Sequence, residues 1–529
     1  MMQDQTPAGK WLADKMSTEF NRNSASIEIA HDESLNTDTG DFSISLWAHT
    51  DADMDDVLGD LVSKFDPSLR KGFNLGFHDG PGVTSTHSNN RHLYFGIDDG
   101  GEEEWIDCGQ PGNSVKVSGL CVWKGDLYAG SYEGGKSETG HVYRYMGGRN
   151  WEDLGSPDKC NTVVSLAVCG DELFVGTGHY RAQGSSLEPS PNVAPGGKVF
   201  RYTGNKTWED CGKISTDDRY TDADYNDWVK GLQGWSKDDV DTVGNLTVFD
   251  GKLYAMPYYH RGVYRYDGGT TWTFCGDPGC RLMAMGLFDG HLLGAGNEGN
   301  HQGGVYRYEG GERWSCAGRQ EGVDQVYSFA AYEGKLHTGT WPEAKVFRWD
   351  GEQQWTDCGQ LGAELEVMAM AVYNGSLYAG TLPLGEVYRY DGGTTWTKSK
   401  QLDTTPDVKY RRVWSMAVFK GKLFCGTLPS GHVHSLEVGK SVTYDVALES
   451  GWRHLAGVRR GSRLELFVDG KLVRWSSDLG DQAWDLSNDQ PLRIGMGPHD
   501  GFKGKMRDIQ LHRRALTAEE ISQTYEAGA

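Results

Sequence analysis

Short apolar segments alternate with glycine-containing turns along most of this chain. One stretch, residues 370–381, reads MAVYNGSLYAGT, and EVYRYDGG follows at residues 386–393 with TWT just behind it. Apolar and polar positions alternate here with the period of two that is typical of strands, and Asn-Gly and Gly-Gly pairs are typical of hairpin turns. The pattern therefore predicts a unit of four short strands, which we label a to d, rather than helices.

This four-strand unit repeats along the chain. Its strand d begins at a tryptophan in each copy, namely at Trp105, Trp151, Trp208, Trp272, Trp314, Trp355 and Trp396. The last two intervals are 41 residues each, the period of a β-propeller blade. Strand a begins seven times, and the seventh unit lacks its own strand d. We therefore expect seven blades over residues 102–438, with the strand at Trp105 completing the last blade.

The segments on either side of the repeats also predict strands. They read DFSISLW at residues 41–47, WRHLAGV at 452–458, LELFVDGKLV at 464–473 and RDIQLHRRALTAEEI at 507–521. This set resembles the two halves of a laminin-G-like (concanavalin A-like) jelly roll. The resemblance implies an all-β chain, a seven-bladed β-propeller inserted into a LamG-like β-sandwich. The halves of the sandwich would occupy residues 16–101 and 439–527.

Charge and hydropathy exclude two classes of partner. The formal net charge is −22, so the chain lacks the basic surface that nucleic-acid binding requires. It also lacks an apolar run long enough for a membrane span. The N-terminal residues have no apolar core of a signal peptide. We expect a secreted or periplasmic protein whose leader has been removed, with a cytoplasmic location as the alternative.

The ten cysteines are expected to be buried hydrophobic residues rather than disulfides. Five of them occupy equivalent strands: Cys108, Cys211, Cys275, Cys316 and Cys358. Pairing of Cys275 with Cys280, or of Cys160 with Cys169, stays open.

Loop length and chemistry single out one face of the propeller. The a–b turns are uniformly short, whereas the b–c loops and d–a connections vary and share the opposite face. Titratable and aromatic side chains gather in the b–c loops. They include His141 in blade 1, His179, Tyr180 and Arg181 in blade 2, Tyr259, His260 and Arg261 in blade 3, His301 in blade 4 and Trp341 in blade 5.

A second group of polar residues should surround the mouth of the central channel. The residue before each strand a varies, whereas the next residue is always Val or Leu. The seven variable positions, which we call the ring, are Lys116, Thr162, Thr242, Arg281, Gln325, Glu366 and Arg412. Three cations against one carboxylate make the ring locally positive, which suits a carboxylate- or sulfate-bearing sugar. Pairing of these cations with Glu366 or with acidic loops is the alternative.

These residue types fit β-elimination from a uronic-acid glycan. That reaction requires a neutralised carboxylate, a base at C5 and an acid for the leaving oxygen. The propeller is similar in fold and residue types to polysaccharide lyases acting on ulvan and on rhamnose–glucuronate linkages, without a shared motif. On chemistry alone we expect Tyr259 or His179 to act as base. We expect Arg261, Arg181 and His260 to neutralise the carboxylate, Lys116, Arg281 and Arg412 to hold the substrate, and Trp341 to stack on it.

Two other functions stay open. Glycoside hydrolysis would need a pair of carboxylates, for which Glu133, Glu298 and Glu343 are candidates. A non-catalytic glycan-binding or adhesion protein would use the same face. We expect no required cofactor and no metal at the site, although the Asp-rich residues 51–56 and the long connection after blade 2 could hold structural calcium.

Overall fold

A computed structural model describes residues 17–22, 26–52, 59–214, 242–297 and 303–528. Almost all regular structure in these ranges is β-strand, and it forms a seven-bladed propeller and a two-sheet sandwich. The predicted fold class is therefore confirmed. Within the described ranges, no helix has both the length and the apolar character needed to cross a membrane.

The sandwich consists of two six-stranded antiparallel sheets. The first contains, in spatial order, Thr18–Asn21, Lys503–His512, Phe42–Thr50, Gly451–Arg460, Arg463–Val468 and Lys471–Trp475. The second contains Ile27–Ile29, Leu492–Ile494, Asp60–Asp66, Lys71–His78, His92–Asp99 and Lys440–Tyr444. Alternate side chains of both sheets face each other and form one core. A 3-10 turn at Glu33–Leu35 and a C-terminal helix at Ala518–Gly528 complete this domain.

The propeller leaves and re-enters the sandwich through neighbouring strands. His92–Asp99 directly precedes the propeller, Lys440–Tyr444 directly follows it, and the two pair antiparallel with Gly96 opposite Ser441. The ends of the inserted domain therefore meet, as insertion into a loop requires.

Six blades take all four strands from one continuous segment. Blades 1 to 3 are Ser114–Trp123, Asp126–Glu133, Val142–Gly147 and Asn150–Asp153; Thr162–Cys169, Glu172–Gly178, Lys198–Gly204 and Thr207–Lys213; and Val243–Phe249, Lys252–Pro257, Tyr264–Gly268 and Thr271–Phe274. Blades 4 to 6 are Arg281–Phe288, His291–Asn297, Gly304–Tyr308 and Trp314–Arg319; Gln325–Tyr332, Lys335–Trp341, Lys345–Gly351 and Gln354–Gln360; and Glu366–Tyr373, Ser376–Leu382, Glu386–Gly392 and Thr395–Gln401.

Blade 7 is built from both ends of the repeat array. Its strands are Arg412–Phe419, Lys422–Leu428, Val433–Glu437 and, from the start of the array, Glu104–Asp107. Leu436 lies opposite Trp105 and His434 opposite Asp107. Backbone pairing thus closes the circle of blades, so no unpaired strand edge remains where the first and last repeats meet.

The recurrent W-x-x-C-G segment forms the seams between blades. The Trp151 indole donates to the carbonyl of Cys108 in the preceding blade at 2.9 Å, and four further seams repeat this bond. The glycine after the cysteine has positive φ, and a Cβ at Gly359 would lie 2.2 Å from the Thr394 carbonyl oxygen. Only glycine tolerates this conformation and this approach.

The seam between blades 4 and 5 differs from the others. Its segment reads W-S-C-A-G from Trp314, so Cys316 occupies the position at which other blades have an aspartate. Cys316 is therefore exposed, and the prediction that all five strand cysteines are buried is wrong at this residue. The Trp355 indole N–H is buried without a described acceptor, and a cavity of about 310 Å³ opens beside it. All ten cysteines are free, and neither open disulfide forms.

A hairpin of the sandwich fills the central channel of the propeller. Its strands, Pro81–Val83 and Thr86–His87, lie inside the ring of blades, and its tip is fully buried. The Thr84 hydroxyl contacts two carbonyl oxygens, those of Met368 and Trp414, each at 2.9 Å, and the Asn245 amide donates to the Thr84 carbonyl at 2.7 Å. The channel is therefore closed from one side by side chains and backbone of the other domain.

The sandwich covers the face of the propeller that carries the a–b turns. The backbone N–H of Glu333 donates to Pro498, that of Gly375 to the His499 ring and that of Gly421 to the Thr443 hydroxyl. These turns are short because they lie against the neighbouring domain. In the part of the chain that the structure describes, the opposite face, with the b–c loops and the ring, is the one that the sandwich does not cover.

Candidate functional site

The ring residues lie at the mouth of the channel on the side away from the sandwich, and the four charged ones are nearly buried. The exposed fractions are 1% for Lys116, 4% for Glu366 and 7% for both Arg281 and Arg412. Each of these residues is the first or third residue of a strand a, so the blade scaffold fixes its backbone. Three cationic side chains and one carboxyl group therefore share a small enclosed space.

Aromatic side chains form the next layer of the channel. Tyr327 and Trp414 lie two residues after a ring position on their strands, and they pack in one cluster with Tyr258. Tyr258 lies in the b–c loop of blade 3, and its hydroxyl forms a hydrogen bond with the Tyr327 hydroxyl. Gly244 allows this approach, because a Cβ there would lie 2.9 Å from Tyr258. Below this layer lies the hairpin tip with Thr84.

Lys116 is held by aromatic rings rather than by a carboxylate. Its Nζ atom lies 3.4 Å from the centroid of the Trp414 ring and 4.2 Å from that of Tyr180. Among the described residues none forms a salt bridge or hydrogen bond with this ammonium. Burial lowers the pKa of Lys116 well below its usual range, and the neighbouring Arg412 lowers it further.

The b–c loop of blade 2 contacts Arg412 at the channel mouth. Its Nη1 donates to the Ser185 hydroxyl at 2.6 Å, and Ser185 ends the 3-10 turn Ala182–Ser185 of blade 2. Its Nε is buried and has no acceptor within the described ranges. The guanidinium therefore keeps a donor that a ligand oxygen could use.

Glu366 does not neutralise the ring. Its Oε1 accepts a hydrogen bond from the Gln325 amide at 3.1 Å, and the described residues provide no salt bridge to it. Burial raises the pKa of Glu366 to about 8, although Arg412 acts in the opposite direction. The carboxyl group is thus mainly protonated at neutral pH, and the alternative that Glu366 pairs with the ring cations does not apply.

Several predicted loop residues join this cluster. Tyr180, Arg181, Tyr259 and His260 are all buried near the mouth. The Arg181 guanidinium lies 5.1 Å from the centroid of the Tyr259 ring. His179 is half-buried, and its carbonyl accepts a hydrogen bond from the Thr242 hydroxyl at 3.2 Å.

Other predicted residues lie at the margin or outside the described ranges. Trp341 is half-buried and packs against the cluster that contains Tyr258, Tyr327 and Trp414. Arg261 forms an ion pair with Asp277 at 2.9 Å, so a substrate carboxylate would have to compete with Asp277. His301 and Glu298 lie outside the described residues, as do residues 53–56 and the Asp-rich connection 215–241.

His141, one of the candidate residues of the b–c loops, forms a contact with Asp153 that recurs in other blades. The residue directly before strand c, or the first residue of strand c, pairs with the third residue of the segment that begins at the strand d tryptophan of the same blade. The pairs are His141–Asp153, Lys198–Asp210, Lys345–Asp357, Glu386–Lys398 and His432–Asp107. In blade 6 the charges are exchanged, because a glutamate lies at the start of strand c and a lysine on strand d, so the two positions still attract each other. We call this pair the clasp, and His141 belongs to the clasp of blade 1.

The same clasp accounts for a group that could be taken for a metal site. Ligand atoms of Asp107, His432 and His434 lie within 4.8 Å of one another. The Asp107–His432 pair is the blade 7 version of the clasp, where blades 2 and 5 place a lysine. A cation already fills this role in those blades, so the geometry at blade 7 does not require a metal.

The structure adds residues that the sequence did not single out. Tyr327 and Trp414 line the channel beneath the ring together with Tyr258 of the blade 3 loop, and the hairpin residue Thr84 closes it. Tyr327 and Trp414 could have been found by extending the ring by two positions along strand a. The hairpin offers no such signal, because its contacts join distant parts of the chain.

Comparison with known proteins agrees with the two-domain architecture. A family model described as the concanavalin A-like lectin/glucanases superfamily matches residues 429–522. The second half of the sandwich is thus concanavalin A-like, as the sequence resemblance implied. No curated protein matches the chain.

Several solved propeller structures are similar to part of this chain. One is a catalytically inactive virginiamycin B lyase from Staphylococcus aureus with quinupristin, at 13% identity and a TM-score of 0.44, covering 64% of this chain and 100% of that one. Another is YCF48 bound to D1 peptide, at 14% identity and a TM-score of 0.41, covering 64% and 97%. The WD40 β-propeller domain of Doa1 has 12% identity and a TM-score of 0.40, covering 63% and 97%. The likeness concerns the propeller fold alone.

Proposed function

We propose that the protein binds an acidic sugar of an anionic oligo- or polysaccharide at the channel mouth and cleaves the neighbouring glycosidic bond by β-elimination. The observation that carries this proposal is the charge of the ring. Lys116, Arg281 and Arg412 are nearly buried, and the one carboxyl group among the ring residues holds its proton at neutral pH.

Within the described residues the buried Arg412 guanidinium has no carboxylate partner, which is costly unless a ligand supplies the counter-charge. The cost arises because moving a charged group out of water disfavours its charged form. A uronate carboxylate would offset it, and guanidinium groups bind such planar anions through two donors. The buried Nε of Arg412 offers one of those donors.

The surrounding groups suit an elimination more than a hydrolysis. Neutralising the carboxylate makes the C5 proton acidic, and phenols and amines for proton transfer lie around the ring. Of the hydrolase candidates, Glu133 accepts hydrogen bonds from Ser131 and Tyr143, and Glu343 is exposed and pairs with Lys345 at 3.0 Å. Both carboxylates are thus engaged in contacts within their own blades, so hydrolysis is not the function we propose.

The shape of the channel bears on how the glycan would bind. The hairpin with Thr84 closes the channel below the ring, so a sugar entering the mouth meets a floor. A chain end fits this dead-end pocket better than a polymer that passes through it. We therefore propose that the bound unit is an acidic sugar at a chain end whose C4 oxygen carries the neighbouring sugar, as elimination requires.

Incubation with a panel of uronic-acid polysaccharides and oligosaccharides tests this function. The expected result is ultraviolet absorbance from a C4–C5 unsaturated uronate with the wild type and its loss in the Arg281→Gln/Arg412→Gln double variant. New reducing ends without that absorbance would contradict elimination and point to hydrolysis. Binding of the glycans without any cleavage would leave a glycan-binding protein.

A further inference from the structure

The ring places an amine, a guanidinium and a carboxyl group on three successive blades. Lys116 belongs to blade 1, Arg412 to blade 7 and Glu366 to blade 6. The strands that carry them are in direct contact: the Ser415 hydroxyl donates to the Val117 carbonyl at 3.0 Å, and Thr84 bridges the Met368 and Trp414 carbonyls. Arg412 therefore lies between the other two.

We propose that Lys116 and Glu366 are the base and the acid of the elimination, with Arg412 between them as the carboxylate anchor. This assignment rests on the proposed function and names the residues that perform it. Lys116 contacts only aromatic rings at its ammonium, and Glu366 uses one carboxyl oxygen for Gln325, so both keep atoms available to a ligand within the described surroundings. It replaces Tyr259 and His179 as the expected base.

The protonation states fit these roles without a metal or cofactor in the step. Facing Lys116 are Arg412, Tyr180 and Trp414, none of which carries negative charge. Facing Glu366 are Arg412, Gln325 and the phenols Tyr258 and Tyr327. Lys116 is thus an amine that readily loses its proton, and Glu366 is a carboxyl group that keeps its proton. Two such groups in one site are the usual arrangement of a catalytic base and acid.

The proton transfers balance. Lys116 Nζ takes the C5 proton, the electron pair of the C5–H bond forms the C4–C5 double bond, and the bond from C4 to the glycosidic oxygen breaks. Glu366 transfers its carboxyl proton to the departing oxygen. The products are an unsaturated uronate, a free hydroxyl, an ammonium at Lys116 and a carboxylate at Glu366, and a proton passing from the first to the second restores the starting states.

The amine state of Lys116 can be tested without turnover. Glucuronate has no glycosidic bond to break, so its complex shows the state of the base before any proton transfer. If Lys116 is the base and Arg412 the carboxylate anchor, Lys116 should stay an amine when glucuronate is bound. The NMR signal of the Lys116 ε-carbon, identified by its loss in Lys116→Arg, should show the chemical shift of an amine at neutral pH with and without glucuronate. The exposed Lys471 of the sandwich, identified by its loss in Lys471→Arg, is the matched control and should show that of an ammonium. An ammonium shift for Lys116 in the glucuronate complex would overturn the assignment.

Turnover tests the catalytic roles. Lys116→Met and Glu366→Gln should each lower kcat at least about 100-fold with the thermal midpoint retained, as expected for loss of a general base or acid. Cleavage that survives Lys116→Met but stops in Tyr259→Phe would overturn the inference and leave the proposed function standing. An amine at Lys116 in the glucuronate complex without cleavage of any glycan would instead overturn the proposed elimination. Absence of both binding and cleavage would contradict both.

Discussion

Replacing Arg412 with glutamine is expected to weaken binding of a uronate oligosaccharide at least about thirtyfold, because truncating one partner of a buried charged pair costs about 2 kcal/mol or more. The side chain is nearly buried, and its Nε has no acceptor within the described residues. Glutamine keeps much of the length but removes the charge and the two-pronged donor. Calorimetric titration of the variant and the wild type measures the change.

Arg348→Gln is the matched control for this experiment. Arg348 lies on strand c of blade 5, whereas the ring residues lie on strands a. Its Nε pairs with the Asp350 carboxylate at 2.9 Å. Its substitution should leave the affinity unchanged. Equal affinity of Arg412→Gln and Arg348→Gln for the oligosaccharide would contradict a carboxylate site at the ring.

Replacing Asn89 with alanine is expected to destabilise the protein by about 3 kcal/mol, because buried backbone groups lose their partners. Asn89 lies at the base of the channel hairpin, where its amide group donates to the Val418 carbonyl at 2.7 Å and accepts from the Val418 N–H at 2.9 Å. The same amide contacts the His92 ring at 3.1 Å. Alanine removes all three bonds and leaves the backbone groups of Val418 without these partners.

Thermal and denaturant unfolding of the two domains measure this effect. Asn150→Ala is the control, because Asn150 is exposed and bonds only to its own turn at Gly147. We expect the Asn89 variant to unfold earlier and to lose the coupling between sandwich and propeller, since the hairpin joins them. Two variants of equal stability would contradict the view that the hairpin locks the domains together.

The scaffold could be predicted because its information is local and repeated. Each segment that begins at a strand d tryptophan marks a contact between two neighbouring blades. Because the segment recurs seven times, an irregular copy does not obscure the pattern. The ring could be found for the same reason, since Lys116 and Arg412 occupy one position of the repeat. The jelly-roll halves were recognisable by resemblance, and the matching family model covers most of the second one.

The remaining parts of the site depend on contacts that no repeat records. The hairpin with Thr84 enters the channel from another domain, so its sequence alone does not reveal its place. The His141 clasp could have been read from the repeat, because Lys198 and Lys345 share its position and face an aspartate. The protonated state of Glu366 follows from burial, which depends on the packing of three blades.

The most direct test of a carboxylate site at the ring compares one glycan in two chemical states. A uronate oligosaccharide and its carboxyl-reduced counterpart have the same linkages and differ in charge alone. Calorimetric titration should show the acidic form bound and the reduced form at least about thirtyfold weaker, since Arg412 then has no counter-charge among the described residues. Equal binding of the two forms, or no binding of the acidic one, would contradict the site.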